Sequence, residues 1–322
     1  MNRIFELTLK VLRRKIIPKL FQSHTLPELE YEMNKKACNK DISDAILAGK
    51  PYMVARFGST ELNSITNYLG VKNNPHSIMQ YIRGDINEWW WNWKSINQLE
   101  THSGFFPVNK KNVIQFSELM LKDAREIDIL GSWCREEWYV RDYVRAAKKY
   151  FLGDIEPLYE DTSNHSSWTH ALKGKKVLVV HPFANTIVKQ YLTNRTKIFS
   201  NPEFLPNFEL HTIKAVQSLG GSDNFLSWFD ALENMKQKMD MIDYDVAIIG
   251  CGAYGLPLAA HAKRSGRIAI HLAGATQILF GIRGRRWDKI EKYNTLFNEY
   301  WVRPDVSETP PIANSVEGGC YW

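Results

Sequence analysis

YDVAIIGCGAYGLPLAAHAKRSGRIAIHLAG, residues 244–274, is the stretch whose reading decides the fold. Val246–Ile249 is an uninterrupted apolar run, as a strand buried on both faces of a parallel sheet should be. The glycine-rich turn GCGAYG (250–255) follows it, then a helical segment to Gly266, then a second apolar strand, RIAIHLAG. Strand, helix and strand in this order make one parallel unit.

Working outward, the same alternation fills the second half of the chain. KKVLVVHPF (175–183) reads as a strand and NTIVKQYLTNR (185–195) as a helix. FELHTIKAV (208–216) is a strand, and FLSWFDALENMKQKM (225–239) a helix with an apolar face. Strands alternating with helices of this length predict an α/β, Rossmann-like, mostly parallel sheet covered by helices on both faces. In the first half, PYMVARFG (51–58) is the first strand. Residues 27–50 read as a helix before it, and ITNYLG (65–70) as the end of the helix after it, with Gly70 as its stop. Residues 76–150 read as a mostly helical, aromatic-rich insertion, with IDILGSW (127–133) as a short strand. Residues 153–174 read as a polar linker. Residues 27–322 are expected to form a single domain preceded by a distinct segment, 1–26.

That segment is basic. Between Met1 and Phe21 it carries six Lys or Arg residues and one acid, Glu6. Ile4, Leu7, Val11, Leu12 and Ile16 recur at helical spacing up to Pro18, so it reads as an amphipathic helix. Such a helix either lies on an anionic membrane surface or docks on the domain with its charges solvated. The whole chain of 322 residues has a net charge of +6, which suits an anionic ligand or surface. No basic run interleaved with aromatics points to nucleic acid. Cys38, Cys134, Cys251 and Cys320 lie far apart, without metal-site or disulfide spacing, so a reduced, cytoplasmic protein is expected. Trp89, Trp90, Trp91 and Trp93 crowd together. Consecutive positions on a helix point in different directions, so some of them belong to the core, and a spare indole could stack on a sugar.

In a parallel sheet, ligands bind beyond the carboxyl ends of the strands. Here those ends are RFGSTE (56–61), HPFANT (181–186), GCGAYG (250–255) and LAGATQ (272–277), all rich in Gly, small hydroxyl residues or His. They nominate Arg56, Gly58, Ser59, Glu61, His181, Gly250, Gly252, Gly255 and Thr276. In GCGAYG, Gly250 suits a tight turn, Gly252 a close phosphate, and the following helix N-terminus a diphosphate. A dinucleotide site also needs an acid about 20 residues on to hold the ribose. His271 stands there instead, which favours a nucleoside diphosphate over NAD. GIRGRRW adds Arg283, Arg285 and Arg286, with Arg283 best placed after the GATQ turn to meet phosphate.

RFGSTE resembles the Arg-Phe-Gly-Asp-Gly-Glu strand-turn of bacterial glycosyltransferases of the GT-D fold. Residues 245–274 are similar to their late glycine-rich strand-helix-strand. The resemblance implies transfer of a sugar from a nucleotide donor, with UDP the expected nucleotide, to a glycan or lipid-linked acceptor in surface polysaccharide or O-antigen synthesis. The place implied is the inner face of the plasma membrane. It puts Arg56, Gly58, Ser59 and Glu61 at the donor, and a divalent metal, Mn or Mg, near an Asp-x-Glu pair. Ser59 takes the place of that Asp, so only Glu61 remains to hold a metal, and metal use is in doubt. Glu61, alternatively the acid-base group, and His181 are the catalytic candidates. Two other readings stay open: an NAD-dependent oxidoreductase using GCGAYG, and a non-catalytic nucleotide- or glycan-binding module.

Overall fold

The computed structural model describes residues 2–17, 26–73, 76–157, 167–218, 224–310, 313 and 319–322. Among them, seven strands form one parallel sheet: β1 (Tyr52–Ala55), β2 (Ile129–Ser132), β3 (Lys148–Phe151), β4 (Lys176–His181), β5 (Glu209–Lys214), β6 (Val246–Ile249) and β7 (Ile268–His271). Their order is β3-β2-β1-β7-β6-β4-β5. The protein is therefore α/β and Rossmann-like, and both halves of the sequence contribute to one sheet. From β1 the chain moves outward to β2 and β3, and from β4 outward to β5. A crevice opens over the strands between those departures, where such sheets hold ligands.

Successive side chains of each strand enter two different cores. Met53 and Ala55 face one and Val54 the other, as do Ala247 and Ile249 against Val246 and Ile248. Continuous apolar runs result because both faces are covered. Of the longer helices, α1 is Arg3–Val11, α2 Lys35–Ala48, α3 Ser59–Lys72, α4 Lys110–Ala124, α5 Ala184–Asn194, α6 Trp228–Asp240 and α7 Gly255–Arg264. The first core is covered by α3, α4, α6 and α7, the second by α2, α5 and the chain after β7.

Several elements differ from the sequence reading. The helix read over 27–50 begins only at Lys35, capped by Asn34, while Glu32 bridges to Tyr150 along the edge strand β3. Gly70 does not stop α3, which runs on to Lys72; a Cβ there would fall on the Glu88 carbonyl, so the glycine lets the next segment pass close. Within 76–150, IDILGSW does supply the expected strand, as β2, but β3 at the end of this stretch was not expected. The stretch read as a linker holds short helical turns at Leu152–Ile155 and Trp168–Leu172, and residues 158–166 lie outside the described residues. Pro18 also lies outside them. Trp90 is buried with Tyr81 and Leu9, whereas Trp93 is 39% exposed. All four cysteines are free thiols. No helix among the described residues is long and apolar enough to cross a membrane.

Candidate active site

Strand register brings the crevice together. Ile249 pairs with both Val180 and His271, and Val54 pairs with Ile270, so the four strand ends finish at one level. The crevice, about 210 Å³, is lined by Arg56, Gly58, Ser59, Glu61, His181, Gly250 and Gly252. Gly255, Thr276 and Arg283 are not on its wall.

Arg56 leaves the end of β1 and lies over the Trp133 ring, 4.6 Å from its centre, a cation–π contact that fixes the guanidinium plane. The Phe57 carbonyl accepts from Arg56 Nε at 3.2 Å and from Trp133 Nε1 at 3.0 Å, which locks the stack. Trp133 is itself set by buried Glu137, whose carboxylate accepts from the backbone N–H groups of Trp133 and Cys134, each at 3.0 Å, and from Ser132 Oγ. None of the ion pairs among the described residues includes Arg56.

Glu61 is the third residue of α3 and is 7% exposed. Its carboxylate curls back against Gly58, with Cδ 2.7 Å from where a Cβ on that residue would sit. The N-terminal end of a helix favours a negative charge there. Arg56 and Glu61 thus share the crevice wall without pairing to each other.

His181 is 3% exposed, and its Nδ1 accepts from the Phe183 N–H at 3.0 Å. That bond places the ring proton on Nε2. Burial lowers the pKa to about 3, so the ring is neutral near pH 7. In this tautomer His181 is a hydrogen-bond donor toward a ligand rather than a base.

Each glycine of GCGAYG is matched by protein. A Cβ at Gly250 would come within 2.6 Å of Thr276 Oγ1, which gives buried Thr276 a packing role. Gly252 has φ 56°, in the left-handed region, against the Ser103 carbonyl. At Gly255 a Cβ would lie 2.5 Å from His271 Cδ2, so this glycine makes room for an imidazole. His271 is 5% exposed, and neither ring nitrogen makes a geometrically good hydrogen bond among the described residues. Burial, with the Arg56 charge second, lowers its pKa to about 3.

Three helices begin at the crevice. The N-terminus of α5 is occupied by Glu308, whose carboxylate accepts from the Asn185 N–H at 2.8 Å and the Thr186 N–H at 3.2 Å. Glu61 folds over the start of α3. No side chain among the described residues caps α7, whose first residues adjoin the crevice at Tyr254 and Leu256. A 3-10 turn, Gly252–Tyr254, leads into it: the Tyr254 N–H donates to the Cys251 carbonyl and the Gly255 N–H to the Gly252 carbonyl, while Pro257 has no N–H, so this helix start offers few amides to a ligand.

Arg283 pairs with Asp288 at 3.1 Å and lies over Phe297. Arg286 reaches the crevice instead, 4.7 Å from the centre of the Tyr321 ring. Among the described residues, no group of three or more His, Cys, Asp or Glu gathers in a metal-binding arrangement. In RFGSTE, Glu61 is the one carboxylate and is folded against Gly58, so this turn by itself offers fewer oxygen ligands than a hard cation takes.

No protein-family model matches the sequence, and no curated protein matches it. Two solved structures of domain of unknown function 1792 are similar. One, described as having a distinct glycosyltransferase fold, is 13% identical at a TM-score of 0.36, covering 74% of this chain and 82% of that one. The other, substituted with selenomethionine, is 14% identical at a TM-score of 0.32, covering 75% and 83%. Neither transfers a role to any residue here.

Residues that the sequence did not nominate complete the crevice. Trp133 comes from the end of β2, and Gln217 and Ser218 follow β5. Tyr321 and Trp322 fold back over the chain after β7. Ser218 Oγ lies 2.7 Å from Tyr254 Oη, and Tyr254 stacks on Trp228, which steadies the wall beside Gly252. Trp133, as the last residue of IDILGSW, had a readable signal: it ends a parallel strand and so belongs to the same edge as Arg56.

Proposed function

We propose that the protein is a glycosyltransferase that moves a sugar from a nucleoside diphosphate donor, with UDP the nucleotide, to a glycan or lipid-linked acceptor in bacterial surface polysaccharide synthesis. The observation that carries this reading is Arg56. A permanently charged guanidinium is held on an indole face in the crevice, with no ion pair among the described residues. It shares that crevice with Arg286. Two guanidinium groups on one wall favour an anionic ligand such as a diphosphate. The donor class and the acceptor rest on the resemblance carried by RFGSTE.

In this reading the bond between the anomeric carbon and the phosphate oxygen breaks, and its electron pair leaves with the diphosphate. Arg56 and Arg286 stabilise that developing charge. The acceptor hydroxyl oxygen bonds to the anomeric carbon and gives its proton to the Glu61 carboxylate. His181 donates from Nε2 to a donor-sugar or phosphate oxygen. The oxidoreductase reading is disfavoured by His271, which replaces the ribose-binding acid and fills the space over the third glycine.

The test is incubation with a panel of UDP-, GDP- and CDP-sugars, with nucleotide release followed chromatographically. Release from at least one UDP-sugar, accelerated by a glycan acceptor, is the expected result. No release from any donor, with reduction of NAD by a hydroxylated substrate, would replace this reading with the oxidoreductase.

A further inference from the structure

We propose that α1 is a membrane-docking element that seats the protein on an anionic lipid bilayer, a role independent of the reaction in the crevice. The helix is docked, yet it is apolar on two sides. Leu9 is buried against Tyr81 and Trp90, with Leu12 partly buried beside them. Lys10 pairs with Glu88 at 3.1 Å, and Arg13 donates to the Ile86 carbonyl at 2.9 Å. These contacts account for one side only.

Ile4, Leu7 and Val11 recur at a spacing of three and four residues, so they form a second stripe. Their exposures are 72%, 54% and 46%. The adjoining helix Ile78–Arg83, which supplies Tyr81, exposes Ile78 and Met79 as well. A stripe left this exposed among the described residues marks an interaction surface.

Charge selects the occupant. Residues 2–17 carry Arg3, Lys10, Arg13, Arg14 and Lys15 against the single acid Glu6. Arg3, Arg14 and Lys15 are exposed, beside the apolar stripe. Two copies meeting through this face would bring like charges together. An anionic bilayer instead accepts the apolar stripe at its interface and attracts the cations around it.

The experiment is co-sedimentation of the full chain with mixed phosphatidylcholine–phosphatidylglycerol vesicles and with pure phosphatidylcholine vesicles. Binding to the mixed vesicles, released by high salt, is expected, with little binding to the neutral ones. Leu7→Glu alters an exposed side chain and should leave the melting temperature unchanged while weakening vesicle binding by about tenfold or more. Arg14→Glu combined with Lys15→Glu should do the same. Failure of the wild type to sediment with mixed vesicles would overturn the proposal, as would equal sedimentation of Leu7→Glu. A dimer in solution that Leu7→Glu dissociates would give the face to a second copy and also overturn it.

Discussion

Replacing Gly255 with alanine separates two roles for the third glycine of GCGAYG. If the glycine exists so that a phosphate can approach the backbone, the substitution weakens ligand binding and leaves the free protein intact. The structure assigns the space to His271: a Cβ at Gly255 would lie 2.5 Å from Cδ2 and 2.9 Å from Cε1 of that ring. The ring is buried and cannot swing aside as an exposed side chain would. Overpacking of this kind costs about 1–3 kcal/mol. Gly255 has helical backbone angles, φ −60° and ψ −49°, so alanine returns at most about 1 kcal/mol through helix propensity. The net expectation is a loss of about 1–2 kcal/mol in urea denaturation of the ligand-free protein. In a His271→Ala background the clash is gone, and Gly255→Ala should become neutral or slightly stabilising. The double-mutant cycle then yields a coupling of about 1–3 kcal/mol. Equal effects of Gly255→Ala in the two backgrounds would refute the assignment.

Three further outcomes follow from the same geometry. His181 and His271 are held neutral with pKa values near 3, below the ordinary 6.5, so the unfolded chain binds more protons as the solution is acidified. Their stabilising contribution is complete above pH 6.5 and is lost as pH falls toward 3, by about 1.4 kcal/mol per pH unit for each ring. Urea midpoints at pH 7, 6 and 5 should show this, and His181→Gln should flatten the slope. Glu308→Ala strips the start of α5 of a buried carboxylate and should cost about 2 kcal/mol by the same denaturation assay, with α5 losing amide-exchange protection first. Glu61→Gln should slow sugar transfer by about a hundredfold while costing less than about 1 kcal/mol of stability. Unchanged transfer alongside a clear loss of stability would make Glu61 a structural cap.

Strands β4, β6 and β7 were legible because burial on both faces leaves apolar runs that no surface element would carry. The edge strand β3, Lys148–Phe151, was not: its first two residues are lysines, and of its four residues only Tyr150 is buried, so it leaves no apolar run although all four pair with β2. The site divides along the same line. Arg56, Glu61, His181 and Gly250 follow strand ends, and a parallel sheet brings strand ends together whatever its strand order. Position after the GATQ turn favoured Arg283 over Arg286, and the fold reverses that choice. Asp288 takes the first, while the chain end, with Tyr321, turns the second toward the crevice. Likewise, HPFANT reads as an anion site until Glu308, distant in sequence, is seen in it.

Calorimetric titration with UDP, GDP, CDP and NAD, on the wild type and on Arg56→Ala, tests the central claim most directly. UDP should bind the wild type, Arg56→Ala should weaken it by about tenfold or more, and NAD should give no heat. Binding of NAD with no response to any nucleoside diphosphate, or UDP affinity indifferent to the loss of Arg56, would contradict it.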